Sequence, residues 1–118
     1  MALMADAIAY KVLTVAQLAV LEHEGTFAGA PVDLADGYIH LSTADQLAGT
    51  IDKHFAGQSD LQIAAVDLDA LGDAVKWEES RGGALFPHIY GALTLDVVLA
   101  YGPLEYEPDG SIKLPVAG

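Results

Sequence analysis

The sequence predicts an α+β domain, with helices early in the chain and several turn-separated strands after them. Two early segments carry helix caps and apolar residues at helical spacing. A nearly continuous apolar run at residues 61–68 has the length of one strand. Neither a Gly-x-Gly-x-x-Gly nor a Gly-x-x-x-x-Gly-Lys-Ser/Thr motif occurs, which argues against a dinucleotide fold, a P-loop and a parallel βαβ array.

Residues 8–13 alternate apolar and mixed side chains as a short strand does, and Thr14 follows where a helix N-cap belongs. Residues 15–24 are expected to be helical, with Val15, Leu18 and Leu21 as the apolar stripe and Gly25 as the stop. Residues 29–33 read as a loop. Residues 37–42 carry strand-forming side chains, and Thr43-Ala44-Asp45-Gln46 is a capping box that opens a second helix through about Phe55. Leu47, Ile51 and Phe55 would then face the core. Both expected helices lie in the N-terminal half.

Residues 61–68 read as a central strand buried on both faces. After a turn or a single helical turn at residues 69–73, residues 75–78 read as a strand and 80–85 as a glycine-bearing loop. Residues 86–90 read as an edge strand, because Pro87 cannot donate to a central ladder. Residues 96–101 fit either a strand or the end of a helical turn. Pro108-Asp109-Gly110-Ser111 is a turn, proline fixing φ and glycine tolerating positive φ.

A length of 118 residues and 53% hydrophobic content suit one domain, 1–118, with one packed core. Five Lys and Arg against seventeen Asp and Glu give a net charge of −12, a field that repels nucleic acids and anionic membranes. No basic leader region is present, and no uncharged run reaches the roughly 18 to 20 residues of a membrane span. The expectation is a soluble, cytoplasmic protein without nucleic-acid or membrane partners. With no cysteine, disulfides and thiolate chemistry are excluded, and a metal would need His and carboxylate ligands. No His-x-x-x-His spacing supports one.

The richest chemistry lies at residues 77–91, which hold the only Trp, the only Arg, a glycine pair and His88. Arg81 with Gly82 and Gly83 offers a guanidinium fork and accessible backbone N–H groups for a small anionic or nucleotide-like ligand. Phe86, Tyr90 and Trp77 offer flat apolar surface for a ring. The bland alternative is a surface loop with Arg81 paired to Glu78 or Glu79. On an extended strand Tyr38, His40 and Ser42 share one face, as do Phe86, His88 and Tyr90 on theirs. If the two segments meet, two imidazoles and two phenols line one cleft. A half-exposed strand explains the polar row equally well. His23 and His54 read as surface residues near helix C-termini.

Asp36, Gly-Tyr-Ile-His-Leu-Ser-Thr at 37–43, the strand ending Val66-Asp67, and Lys-Trp-Glu-x-Ser-Arg-Gly-Gly-x-x-Phe-Pro-His-x-Tyr-Gly at 76–91 resemble the DUF952 family of small bacterial proteins. That resemblance covers nearly the whole chain. It implies a fold like that of the ADP-ribosyltransferases, two small, mostly antiparallel sheets forming a cleft that grips NAD in catalytic relatives. It also implies His40 and Ser42 on one wall, facing Arg81, Phe86, His88 and Tyr90 on the other. The late catalytic Glu usual in such transferases has no clear counterpart here. Two classes of function follow: a cleft that binds NAD or an ADP-ribosyl compound and transfers ADP-ribose through His40 and His88, or a non-catalytic nucleotide or metabolite module. A purely structural or assembly role is the plainer alternative. No cofactor other than NAD is suggested, and the sequence leaves the oligomeric state open.

Overall fold

A computed structural model of the chain describes residues 7–80 and 83–115. It opens with β1 (Ile8–Leu13) and α1 (Val15–Glu24). The Thr14 hydroxyl accepts from the Gln17 N–H at 3.1 Å and the Gln17 side chain accepts from the Thr14 N–H at 3.0 Å, so two orphan donors of the first turn are satisfied. Gly25, at φ 75°, ends the helix in the left-handed region. Leu18 and Leu21 are buried, whereas Val15 is exposed, contrary to the expected stripe. Val15 lies about 120° around the helix from Leu21, at the edge of the apolar arc.

After β2 (Thr26–Phe27) comes α2 (Pro31–Asp36), where the sequence suggested a loop. Its cause is local: Pro31 at the first position supplies the helical φ, and Asp33 Oδ2 accepts from the Ala30 N–H at 2.8 Å. β3 (Ile39–His40) leads through a 3₁₀ turn at Ala44–Gln46 into α3 (Leu47–His54). The Gln46 side-chain Oε1 accepts from the Thr43 N–H at 3.0 Å. Leu47 and Ile51 are buried, with Phe55 packed beside them.

The second half contains β4 (Gln62–Asp67), α4 (Leu68–Leu71), β5 (Val75–Glu79), β6 (Leu85–Ile89), β7 (Leu93–Thr94), β8 (Val98–Pro103), β9 (Glu105–Tyr106) and β10 (Ile112–Lys113). All pairings among the described residues are antiparallel. Two three-stranded sheets run in the orders β1-β4-β8 and β3-β6-β5, and β2-β7 and β9-β10 form two-stranded ribbons. Among the described residues the first half thus holds three helices rather than the expected two, and α4 is a fourth.

The apolar run of β4 is central, as its hydropathy predicts, with side chains buried on both faces. One core cluster gathers Leu13, Leu21, Ile39, Leu41, Val66 and Ile89; a second gathers Tyr10, Val12, Leu47, Ile51, Leu61 and Ile63. Each large aliphatic side chain buried in this way contributes about 1.5 to 3 kcal/mol. Alternation along β1 places Lys11 on the same face as Ala9 and Leu13, both members of the first cluster. A lysine there needs a counter-charge.

β6 is the middle strand of its sheet, not an edge. The Pro87 carbonyl accepts from the Leu41 N–H at 3.0 Å, so the ring nitrogen faces the same side, beyond the two-residue pairing with β3. The Leu41–Pro87 pair thus keeps one of its two ladder bonds, and the missing donor falls at the last rung, where the pairing with β3 ends. The two main sheets meet where Tyr10 and Ser42 exchange backbone hydrogen bonds of 2.7 and 2.9 Å. No helix among the described residues is long and apolar enough to cross a membrane.

Candidate functional site

The register of the β3-β6-β5 sheet sets His88 between His40 on one side and Lys76 on the other, and Glu78 opposite Phe86. Paired residues share a face, so these side chains project together while Ile39, Ile89, Val75 and Trp77 project the other way. The Tyr38 ring stacks on His88 with centroids 4.2 Å apart and planes at 21°. Tyr38 also lies 4.9 Å from His40 and 5.3 Å from Tyr90, and the two imidazoles meet edge to face at 5.1 Å.

His88 is buried and hydrogen-bonded at one nitrogen. Its Nδ1 lies 2.7 Å from Glu78 Oε1, and the Tyr90 hydroxyl donates to both oxygens of the same carboxylate at 2.9 and 3.0 Å. These bonds, the one from His88 foremost, hold the Glu78 carboxyl below the usual carboxylate range. Burial, with the bond to Glu78, pushes the Tyr90 phenol up. An ionised Glu78 can only accept, so His88 Nδ1 carries the proton that joins them. The opposite nitrogen, Nε2, is buried and has no hydrogen-bond partner among the described residues.

A second network centres on Asp33, which α2 carries inward. Lys11 Nζ donates to its Oδ2 at 2.9 Å, and His40 donates to its Oδ1 from Nδ1 at 2.6 Å and from the backbone N–H at 3.1 Å. Burial alone would raise the Asp33 pKa. The His40 hydrogen bond, the Lys11 charge and hydrogen bond and the Ala30 N–H outweigh it and hold the carboxyl far below the usual range. For Lys11 burial wins over the Asp33 attraction, and its pKa is lowered. The other His40 nitrogen, Nε2, is 3.0 Å from Asp36 Oδ2. Both ring nitrogens of His40 are therefore spoken for.

Between these networks and α3 lies a cavity of ≈ 260 Å³ at the sheet junction. Lys11, Asp33, His40, Ser42, Phe86 and His88 line its inner part, and Lys53 and His54 line it from α3. His54, expected on the surface, is exposed and yet belongs to this lining, because the last turn of α3 passes the opening. Ser42 is buried and its hydroxyl pairs with that of Thr50 at 2.7 Å. Tyr38 and Tyr90 flank the histidines outside the cavity lining.

Of the residues singled out in the sequence, Tyr38, His40, Ser42, Phe86, His88 and Tyr90 are thus brought together. Gly83 sits in the β5–β6 loop and its N–H is donated to the Ser80 carbonyl at 3.1 Å. Arg81 and Gly82 lie outside the described residues. Trp77 does not offer its ring to the cleft: it is partly buried and packs against the first core cluster on the far face of the sheet, one strand position out of phase with Glu78. Lys11 and Asp33 are additions. A lysine inside an apolar strand was the available signal for the first, and Pro at the first helical position with Asp two residues later the signal for the second.

Fold and site define an α+β protein with a histidine–carboxylate cluster buried at the junction of two antiparallel sheets. The chain belongs to the DUF952 family of proteins of unknown function, whose model matches residues 12–101. It is similar to protein CC0527 from Caulobacter crescentus, whose crystal structure shares 43% identity at a TM-score of 0.81, covering 91% of this chain and 94% of that one. The solution NMR structure of the same protein matches at 42% identity and a TM-score of 0.76, covering 92% and 94%. No curated protein matches the chain.

Proposed function

We propose that the cleft is a small-molecule site in which His88 is the acid/base, and that its ligand is an ADP-ribosyl compound such as NAD, held on a fold of the ADP-ribosyltransferase type. The observation that carries this reading is the His88 imidazole, anchored at Nδ1 by Glu78 and left unpartnered at a buried Nε2. Orientation by a carboxylate, with the far nitrogen free, is the arrangement a general base requires. In a transfer, His88 Nε2 takes the proton of the attacking acceptor hydroxyl or amine as that atom bonds to the ribose C1′. The glycosidic bond breaks and its electron pair leaves with nicotinamide. Phe86 and Tyr38 supply ring surface beside the imidazole. His40 is tied to Asp33 and Asp36, and it meets a ribose hydroxyl by exchanging its bond to the half-exposed Asp36.

A second reading, a binding module without chemistry, is favoured by size. The cavity of ≈ 260 Å³ falls below the roughly 300 to 1,000 Å³ common for ligand pockets, enough for part of a dinucleotide or for a small metabolite. One experiment separates the readings: thermal shift of the protein with NAD, ADP-ribose, nicotinamide and AMP, paired with an assay for nicotinamide release. A ligand at 100 times its Kd stabilises by about 2.7 kcal/mol. A transferase releases nicotinamide, and its His88→Ala variant binds but does not turn over. A module shows the shift without release, and absence of any shift removes both readings.

A further inference from the structure

The charge on the cavity wall is at odds with the charge on the chain. Among the described residues two lysines and three histidines line the cavity, and of the far more numerous Asp and Glu only Asp33 and Asp36 do. Both carboxylates already accept from Lys11 or His40. His54 has an interaction of its own, and two basic groups remain. Lys53 makes no ion pair among the described residues, despite the surplus of carboxylates, and His88 Nε2, on a side chain 2% exposed, has no partner. Phe55, Phe86 and Val32 give the same cavity apolar walls. In a chain of net charge −12, such a concentration creates a local site for negative charge that the surrounding surface does not offer.

We propose that this cavity binds a compact organic oxyanion, a carboxylate or phosphate attached to a small apolar body, between Lys53 and His88 Nε2. The inference rests on the cleft being a ligand site, not on the ligand being an ADP-ribosyl compound. Because Nδ1–H is engaged by Glu78, donation from Nε2 requires the imidazolium, so binding takes a proton to His88 whenever the free ring is neutral. Glu78 and Lys76 from β5, His40 from β3, and Tyr38 and Tyr90 are the titratable groups around that ring.

The test uses two probes of one shape, nicotinate and nicotinamide, which differ in charge, together with inorganic phosphate. Imidazole ¹⁵N resonances of the intact protein report on His88, and titration gives Kd. The expected result is that nicotinate or phosphate moves the His88 Nε2 signal with a Kd at least tenfold below that of nicotinamide. Lys53→Met weakens that binding about tenfold, Lys53→Arg restores it, and the distant Lys113→Met leaves it unchanged. Equal binding of nicotinate and nicotinamide overturns the oxyanion inference while keeping the cleft as a ligand site. Nicotinate binding indifferent to Lys53→Met overturns it too. Silence of His88 towards both oxyanions overturns it, and only silence towards NAD and nicotinamide as well also removes the proposed function.

Discussion

Two histidines 5.1 Å apart on neighbouring strands are held in opposite ways. His40 has a carboxylate at each ring nitrogen, Asp33 at 2.6 Å and Asp36 at 3.0 Å, although its side chain is 29% exposed. His88, at 2% exposure, has a carboxylate at one nitrogen and, among the described residues, no hydrogen-bond partner at the other. Burial would ordinarily demand the reverse, since water can satisfy an exposed nitrogen and cannot reach a buried one. The saturated network ties β1, α2 and β3 together. The unsaturated one keeps a polar atom at an energetic disadvantage unless a ligand arrives. Structure and chemistry are divided between two copies of the same side chain.

The sharpest way to break this division is to cut the saturated network at its centre. Asp33→Ala leaves Lys11 buried without a counter-charge and should cost about 3 to 5 kcal/mol in urea denaturation at pH 7. A loss under about 1 kcal/mol would show that Lys11 reaches water or another anion. Acid should produce the same effect reversibly. The folded pKa of Asp33 is depressed, so its contribution is complete above the unfolded value of about 3.9 and is lost as pH falls towards the folded one. Urea midpoints should therefore begin to drop as pH falls through about 4 and keep dropping below pH 3, and Asp33→Asn should flatten that dependence.

His40→Ala removes hydrogen bonds to a charged group but leaves the Lys11–Asp33 pair, and about 1.5 to 3 kcal/mol should be lost. His88→Gln should cost less stability than His40→Ala in the same urea series, because one of its nitrogens has no bond to lose. Ligand-dependent stabilisation should disappear with it. A larger loss than for His40→Ala would make His88 a structural residue. The smallest effect is expected for Tyr90→Phe: an unchanged urea midpoint, with a shifted His88 ¹⁵N resonance as Glu78 loses its second donor.

Local signals made β1, the Thr14 cap, α1 and the apolar run of β4 legible in the sequence, because each depends on neighbours within a few residues. Period-two alternation likewise indicated that Tyr38 shares a face with His40, and His88 with Tyr90. The helix at α2 was hidden because Gly-Ala-Pro-Val-Asp has loop composition, and its helical state depends on Asp33 turning inward to Lys11, 22 residues away in sequence. Pro87 suggested an edge strand since proline removes a donor, but which side of the strand loses it is decided by register, a tertiary property. Trp77 was grouped with Phe86 and Tyr90 through proximity in sequence. Strand phase puts it in the core. Pairing distances between β3, α2 and β1 are likewise invisible before the chain folds.

One helix carries an unusual burden. Asp33 is the only buried residue of α2, while Val32 and Leu34 are exposed, so this six-residue helix is docked by an ion pair instead of an apolar face. So short a helix has no independent stability. Its amide protons should exchange with solvent together, as one small cooperative unit that detaches below the free energy of global unfolding. Each detachment would swing aside a wall of the cavity, making the electrostatic clasp at Asp33 also the hinge of a door.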